Sequence, residues 1–368
     1  MKTIPFALPA VGEEEIEEVI KTMRRGHLTS GPMALRFEEE FKNFLGCSHA
    51  LSVNSATSGL HLSLLVAGIK AGDHVVLPVN TFTATANVIC YLGAIPVFCD
   101  IDPLTYNIDP GELKKILAAD TDRRIKAVMA VHIAGQSADL LSILELKREY
   151  KFLLIEDAAH AFPCSHFKRM IGTIGDLTVF SFYPTKTLAS MEGGMICTEN
   201  DEWASRLRIL KNSGINRKSF FYDVEELGFK YGMNDVAASM AIHQLAKALQ
   251  FLERRVAIAD QYDTAFKNCE EIGIPHVTNK DDIHSRHLYM IKVKNRNELA
   301  QRLLEKGIQT SVHFRPLHLH TYWKENFPEA NVFPVAEKVY EQILSLPIYP
   351  GLSSRDVETV AESVKNLT

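Results

Sequence analysis

The chain has 368 residues, 46% of them hydrophobic and 23% charged, with a formal net charge of −5. Such a composition belongs to a globular protein with ample material for a large core, and the length leaves room for about two domains. The slightly negative balance excludes the broad basic field that draws in nucleic acid or an anionic membrane surface.

In chain order, residues 13–23 place Ile16, Val19 and Ile20 at helical spacing, and residues 35–45 do the same with Phe37, Phe41 and Phe44. Both predict amphipathic helices. Short apolar runs follow at 74–77, 96–99, 127–131, 152–155, 178–182 and 195–197, bounded by Gly, Asp or Pro and several of them separated by helical stretches. That alternation predicts an α/β fold, a mostly parallel sheet between helices. Beyond about residue 234 the texture changes to one or two long Ala-rich helices over 235–259. After them come a strand at 288–294, a helix at 296–306, a His-rich strand and loop, and a closing helix. The expected division is a large domain over 1–245 and a smaller C-terminal α/β domain over 246–368.

Six cysteines (Cys47, Cys90, Cys99, Cys164, Cys197, Cys269) are scattered without a C-x-x-C pair, mostly among apolar neighbours. They read as buried free thiols of a reducing compartment. Residues 1–5 carry no apolar signal core and no apolar run approaches about eighteen residues. The expected location is cytoplasmic.

In open α/β sheets, ligands gather at the carboxyl ends of the strands. The run at 152–155 leads into Glu156-Asp157-Ala158-Ala159-His160. An acid at the end of a buried strand needs a partner: a cationic heterocycle nitrogen for Asp157, or else a helix start or a core salt bridge. The run at 178–182 leads into Tyr183-Pro184-Thr185-Lys186. A lysine leaving a buried strand is placed for Schiff-base chemistry if its pKa is depressed, and otherwise snorkels to solvent. In Val53-Asn54-Ser55-Ala56-Thr57-Ser58-Gly59, Asn54 or Ser55 can cap a helix. The Ala56 and Thr57 amides then either cradle a phosphate or begin a helix with no ligand. Together the three features match pyridoxal 5′-phosphate (PLP), which needs an anchor for its phosphate, an acid for its ring nitrogen and an amine for its aldehyde.

These motifs resemble those of the DegT/DnrJ/StrS family of fold-type I, PLP-dependent sugar-nucleotide aminotransferases. The likeness runs from Leu28-Thr29-Ser30-Gly31-Pro32 to Leu344-Ser345-Leu346-Pro347-Ile348-Tyr349-Pro350-Gly351. It includes Val131-His132-Ile133-Ala134-Gly135-Gln136 and Phe180-Ser181-Phe182-Tyr183-Pro184-Thr185-Lys186. The resemblance implies that Lys186 is the catalytic Schiff-base lysine and proton carrier and that Asp157 pairs with the pyridine nitrogen. It also implies that Phe82 stacks on the ring and that His160 lies near the ring oxygen. Ser181 with Ala56 and Thr57 would hold the phosphate. His313, Arg315 and His318 fall in the stretch that the family places near the sugar nucleotide. Lys230 stands where many relatives have an asparagine that reaches the phosphate of the neighbouring subunit, which implies a homodimer.

Ala56 occupies a position where relatives acting at C3 of the sugar more often carry glycine. The expected reaction therefore moves an amino group from an amino acid, glutamate by family analogy, to C4 of a nucleotide-linked 4-keto-6-deoxy hexose. The alternatives are a C3 aminotransferase, a dehydratase using the pyridoxamine form (PMP), and a non-catalytic PLP-binding relative. The dehydratase branch carries histidine in place of Lys186. No metal is expected: His318 and His320, alternating on a strand, would face opposite sides. The segment Gly172-Thr173-Ile174-Gly175-Asp176 reads as a turn.

Overall fold

Seven strands form the central sheet of the structure, a computed structural model that describes residues 3–218, 220–328 and 332–368. They are β1 (His49–Val53), β2 (His74–Pro78), β3 (Ile95–Cys99), β4 (Ile125–Val131), β5 (Leu153–Asp157), β6 (Leu177–Ser181) and β7 (Gly194–Thr198). Their order across the sheet is β1-β7-β6-β5-β4-β2-β3. The four ladders from β3 through β2, β4 and β5 to β6 are parallel, and β7 runs antiparallel to both β6 and β1. The expected apolar runs coincide with β2 to β7, and the segment 172–176 is the expected turn. Strand β1 goes unannounced in the periodicity because its five residues run almost directly into the next helix.

Helices α2 (Pro32–Leu45), α3 (Ala56–Val66), α4 (Thr83–Tyr91) and α5 (Asp235–Ala246) cover the two faces of this sheet. On one face Phe37 and Phe41 of α2 and Ala241 of α5 meet Val128 and Phe180 in a closed core. On the other, Leu60 and Leu64 of α3 and Val88 of α4 meet Val75, Ile155 and Ile196. Gly59 lets α3 lie this close: a Cβ there would sit 2.7 Å from Val179 Cγ1.

The first helix, Glu13–Arg25, forms where its periodicity predicts, yet its apolar stripe faces outward. Glu15, Glu18 and Thr22 are the buried positions, while Ile16 and Ile20 are 44% and 42% exposed. The polar face is turned inward because Gln244 Nε2 (2.8 Å) and Lys247 Nζ donate to the Glu15 carboxylate.

A third core is built on the long helix Ala248–Phe266, through Ile258, Tyr262 and Phe266. A separate two-stranded antiparallel ladder, Tyr289–Lys292 with Ile343–Leu346, lies between it and the core against α3. Side chains alternate along the first of these strands, so Tyr289 and Ile291 enter the third core while Met290 enters the core against α3. Ile4 packs here as well, its amide donating to Gly307 O at 2.8 Å. We propose this layer, with the residues around Ile4 added, as the smaller domain. Correcting the expected His-rich strand, residues 317–319 form a 3-10 turn that leads into the helix Thr321–Asn326. Pro316, lacking an N–H, breaks a ladder before it can start.

The acidic pair ending β5 is divided by the same alternation. Glu156 points into the protein, where it accepts from His132 Nε2 (2.9 Å), Thr178 Oγ1 (2.7 Å) and the Gly175 amide (2.7 Å). His132 Nδ1 accepts from the Ala138 amide at 3.0 Å, which puts its hydrogen on Nε2. Burial would raise the Glu156 pKa, but these donors outweigh it and hold the group ionised. Replacing Glu156 with Ala strands three buried donors and is expected to cost about 3 kcal/mol or more in chemical denaturation. A loss below about 1 kcal/mol would contradict this account.

Candidate active site

The last residues of β4, β5 and β6 are Val131, Asp157 and Ser181, and all three line one cavity of about 420 Å³. Parallel strands deliver their carboxyl ends to the same edge, so residues distant in sequence converge there. Ser55, Ala56 and Thr57 at the start of α3, Phe82 at the start of α4, and Lys186 beyond β6 complete the inner wall.

Asp157 is 5% exposed. Its carboxylate accepts from Thr85 Oγ1 at 2.8 Å and from the Ala159 amide at 3.1 Å, both neutral donors. Burial pushes its pKa up, and Lys186 only partly offsets this. A carboxylate desolvated in this way lacks a cation, and a protonated ring nitrogen would supply one. Lys186 follows a turn closed by its own amide donating to Tyr183 O at 2.8 Å. Burial lowers its pKa to about 8 against the opposing pull of Asp157, so an appreciable fraction of the amine is neutral and nucleophilic near neutrality.

The candidate phosphate cradle is a helix start. Ser55 caps α3 by accepting from the Ser58 amide at 3.1 Å, and Asn54 Oδ1 accepts from the Ser58 hydroxyl at 2.6 Å. The Ala56 and Thr57 amides therefore face the cavity without an intrahelical acceptor. Gly194 at the head of β7 lets the helix start come close, because a Cβ there would lie 2.8 Å from both Ala56 N and Phe180 O. With Ser181 beside them, these groups fit a phosphate, and with Asp157 and Lys186 they fit PLP.

His160 accepts from the Ala134 amide through Nδ1 at 3.4 Å and stacks on Phe314 with centroids 5.8 Å apart. Phe82 is 59% exposed, leaving a ring face open to the cavity, and lies 6.1 Å from Phe314. His313 lines the outer wall. Arg315 and His318 lie outside the lining: Arg315 Nη2 donates to Leu319 O at 2.6 Å, and His318 Nε2 pairs with Glu337 at 2.9 Å. Lys230 is exposed and lies away from its own chain's cavity. Sequence reasoning missed Phe6 and His287, residues far apart in sequence that both line the cavity. The one signal for His287 is a polar residue immediately before an apolar strand.

A family model described as the DegT/DnrJ/EryC1/StrS aminotransferase family matches residues 9–365, and the chain belongs to that family. The spore coat polysaccharide biosynthesis protein SpsC of Bacillus subtilis is 42% identical over 382 residues, covering 99% of this chain and 97% of its own. The Streptococcus pneumoniae protein Spr1654, assigned as a sugar aminotransferase, matches in its PMP form with a TM-score of 0.94 and 31% identity. That match covers 100% of this chain and 98% of the other, and the same protein is also solved in a PLP form. Helicobacter pylori PseC, an aminotransferase involved in pseudaminic acid biosynthesis, matches with a TM-score of 0.94 at 28% identity, covering 100% and 99% of the two chains. The protein is thus a fold-type I sugar aminotransferase whose cofactor is PLP.

In cofactor-stripped protein, the rate at which added PLP attaches to Lys186 is expected to climb as pH rises through about 8. The rise follows from the growing fraction of neutral amine and is read from the absorbance of the bound cofactor. A rate already level below that pH would contradict the depressed amine.

Proposed function

We propose that the chain moves an amino group from glutamate to C4 of a nucleotide-linked 4-keto-6-deoxy hexose, acting as a homodimer in the cytoplasm. The reading is carried by the Lys186 amine and the buried Asp157 carboxylate facing one cavity beside a helix-start anion cradle. When bound, PLP supplies an electron sink for the carbanion formed as the amino group is exchanged. Asp157, oriented by Thr85 and the Ala159 amide, keeps a proton on the ring nitrogen. The Ala56 and Thr57 amides with Ser181 hold the phosphate, and Phe82 covers a ring face. Lys186 moves a proton between carbon atoms as a general acid and base. Its amine, where the dehydratase branch has histidine, favours amine transfer. Ala56 supports action at C4, as does the likeness to PseC, an aminotransferase involved in the biosynthesis of pseudaminic acid. Among the described residues no helix is long and apolar enough to cross a membrane.

The purified protein is expected to be yellow, to lose its colour with glutamate and to regain it with a 4-keto-6-deoxy sugar nucleotide. Asp157→Asn should slow both halves by about a hundredfold or more. Bleaching by no amino acid would overturn the reading.

The dimer is supported by apolar surface left open on one copy. Ile16, Ile20 and Met23 of the first helix and Phe221 and Tyr222 of the hairpin 215–224 are exposed. The contiguous stripe on that helix is the kind of patch a partner covers. In this reading Lys230, just beyond the hairpin, reaches the partner's phosphate site as a point charge. Sedimentation should show a dimer, and Ile16→Glu with Ile20→Glu should give monomers that retain PLP poorly. A fully active monomeric wild type would exclude a shared site.

A further inference from the structure

Two observations around the cavity have no place in the chemistry above. The first is the wall facing Lys186, where three imidazoles gather: His160 and His287 have centroids 4.4 Å apart, and His160 and His313 lie 6.4 Å apart. His160 receives the Ala134 amide on Nδ1, and His313 Nδ1 lies 2.9 Å from Ser345 Oγ, whose hydroxyl can donate to it and leave the ring hydrogen on Nε2. His287 Nδ1 is buried without a partner. An orphaned acceptor costs less than an orphaned donor, so the ring hydrogen of His287 belongs on Nε2. Burial and the Lys186 charge hold His313 at about 4, and burial holds His287 well down, so both rings are neutral in the working enzyme. No arginine lines the cavity among the described residues.

The second observation is Arg255, a cation 2% exposed on the long helix behind this wall. Its Nη1 donates to three backbone carbonyls: Arg286 (3.3 Å), His287 (3.4 Å) and Ile348 (3.0 Å). Nε has no partner, and no carboxylate pairs with the guanidinium among the described residues. Burial lowers its pKa to about 10, which leaves it charged at neutral pH. A buried cation held only by carbonyl dipoles is costly and incompletely neutralised, so its field reaches the wall whose His287 carbonyl it binds.

A transaminase that returns to its starting state must take an anionic amino acid and an uncharged keto sugar at one set of reacting atoms. An arginine in the wall would favour the carboxylate, then stand unpaired against the sugar. We infer that His287 and His313 form one subsite whose neutral N–H groups bind the donor's carboxylate and the sugar's hydroxyls in turn, with Arg255 behind it as a positioning residue whose charge favours the carboxylate. The inference rests on the proposed amino-acid-to-sugar reading. The division of labour is physical. Neutral donors serve both substrates, and the charge that only one of them needs is kept beneath the wall, away from hydroxyl groups.

The test uses PLP-loaded enzyme and glutarate, a dicarboxylate with no amino group, whose binding is measured by calorimetry. His287→Gln is expected to weaken glutarate by about tenfold and to raise the KM for the keto sugar. Arg255→Met should weaken glutarate similarly and raise the KM for glutamate, with the sugar KM unchanged; Arg255→Lys should recover most of the loss. If Arg255→Met fails to fold, Arg255→Gln, which removes the charge but keeps a donor for the carbonyls, should weaken glutarate about as much, and unchanged affinity there would overturn the role of Arg255. Unchanged glutarate affinity in His287→Gln and Arg255→Met, with loss only in Lys230→Ala, would overturn the inference and assign the carboxylate to the partner subunit. A wild type bleached by no amino acid would instead fell the parent reading, and this inference with it.

Discussion

A carboxylate taken out of water at the end of a parallel strand sets the terms for this site. Asp157 sits where desolvation works against its charge, and the protein surrounds it with the hydroxyl of Thr85 and one amide. Its direct hydrogen-bond partners are neutral, and the charge of Lys186 offsets the burial only in part. The same burial that raises Asp157 lowers Lys186, so one cavity prepares an acid and an amine for opposite tasks. Each tempers the other across the cavity.

That arrangement depends on the sheet. Val131, Asp157 and Ser181 become neighbours because β4, β5 and β6 run parallel and end together. Two adjacent acids on β5 are separated by the pleat into different roles. Glu156, satisfied from three sides, ties β5 to its neighbours, while Asp157 faces the cavity. The close fit of α3 on the sheet matters in the same way. Without the glycines at 59 and 194, the helix start that presents Ala56 and Thr57 would stand off from Ser181.

Much of this was legible in advance, and for identifiable reasons. Strands β2 to β7 are short apolar runs punctuated by turn formers, a pattern set by burial on both faces. Lys186, Asp157 and the Ser55 cap announced themselves because each sits where a buried element ends. Arg315 and His318 illustrate the opposite case. They are adjacent in sequence to His313, but the 3-10 turn at 317–319 carries His318 to Glu337 and leaves Arg315 folded onto Leu319. The first helix shows that periodicity finds a helix without fixing which face is inward, since Lys247 and Gln244 could draw Glu15 inside only once the later helices were in place.

The sequence by itself determined most of the elements, the parallel sheet and the positions of three groups suited to PLP, because each is encoded locally by a strand end, a cap or a turn. The tertiary structure decided what meets what. Phe6 and His287 enter the same cavity because their near neighbours Ile4 and Tyr289 pack together in the third core. Arg255 acquires significance from carbonyls contributed by residues far from it in sequence. Local propensity cannot encode contacts between segments that find each other only through the packing of a shared core.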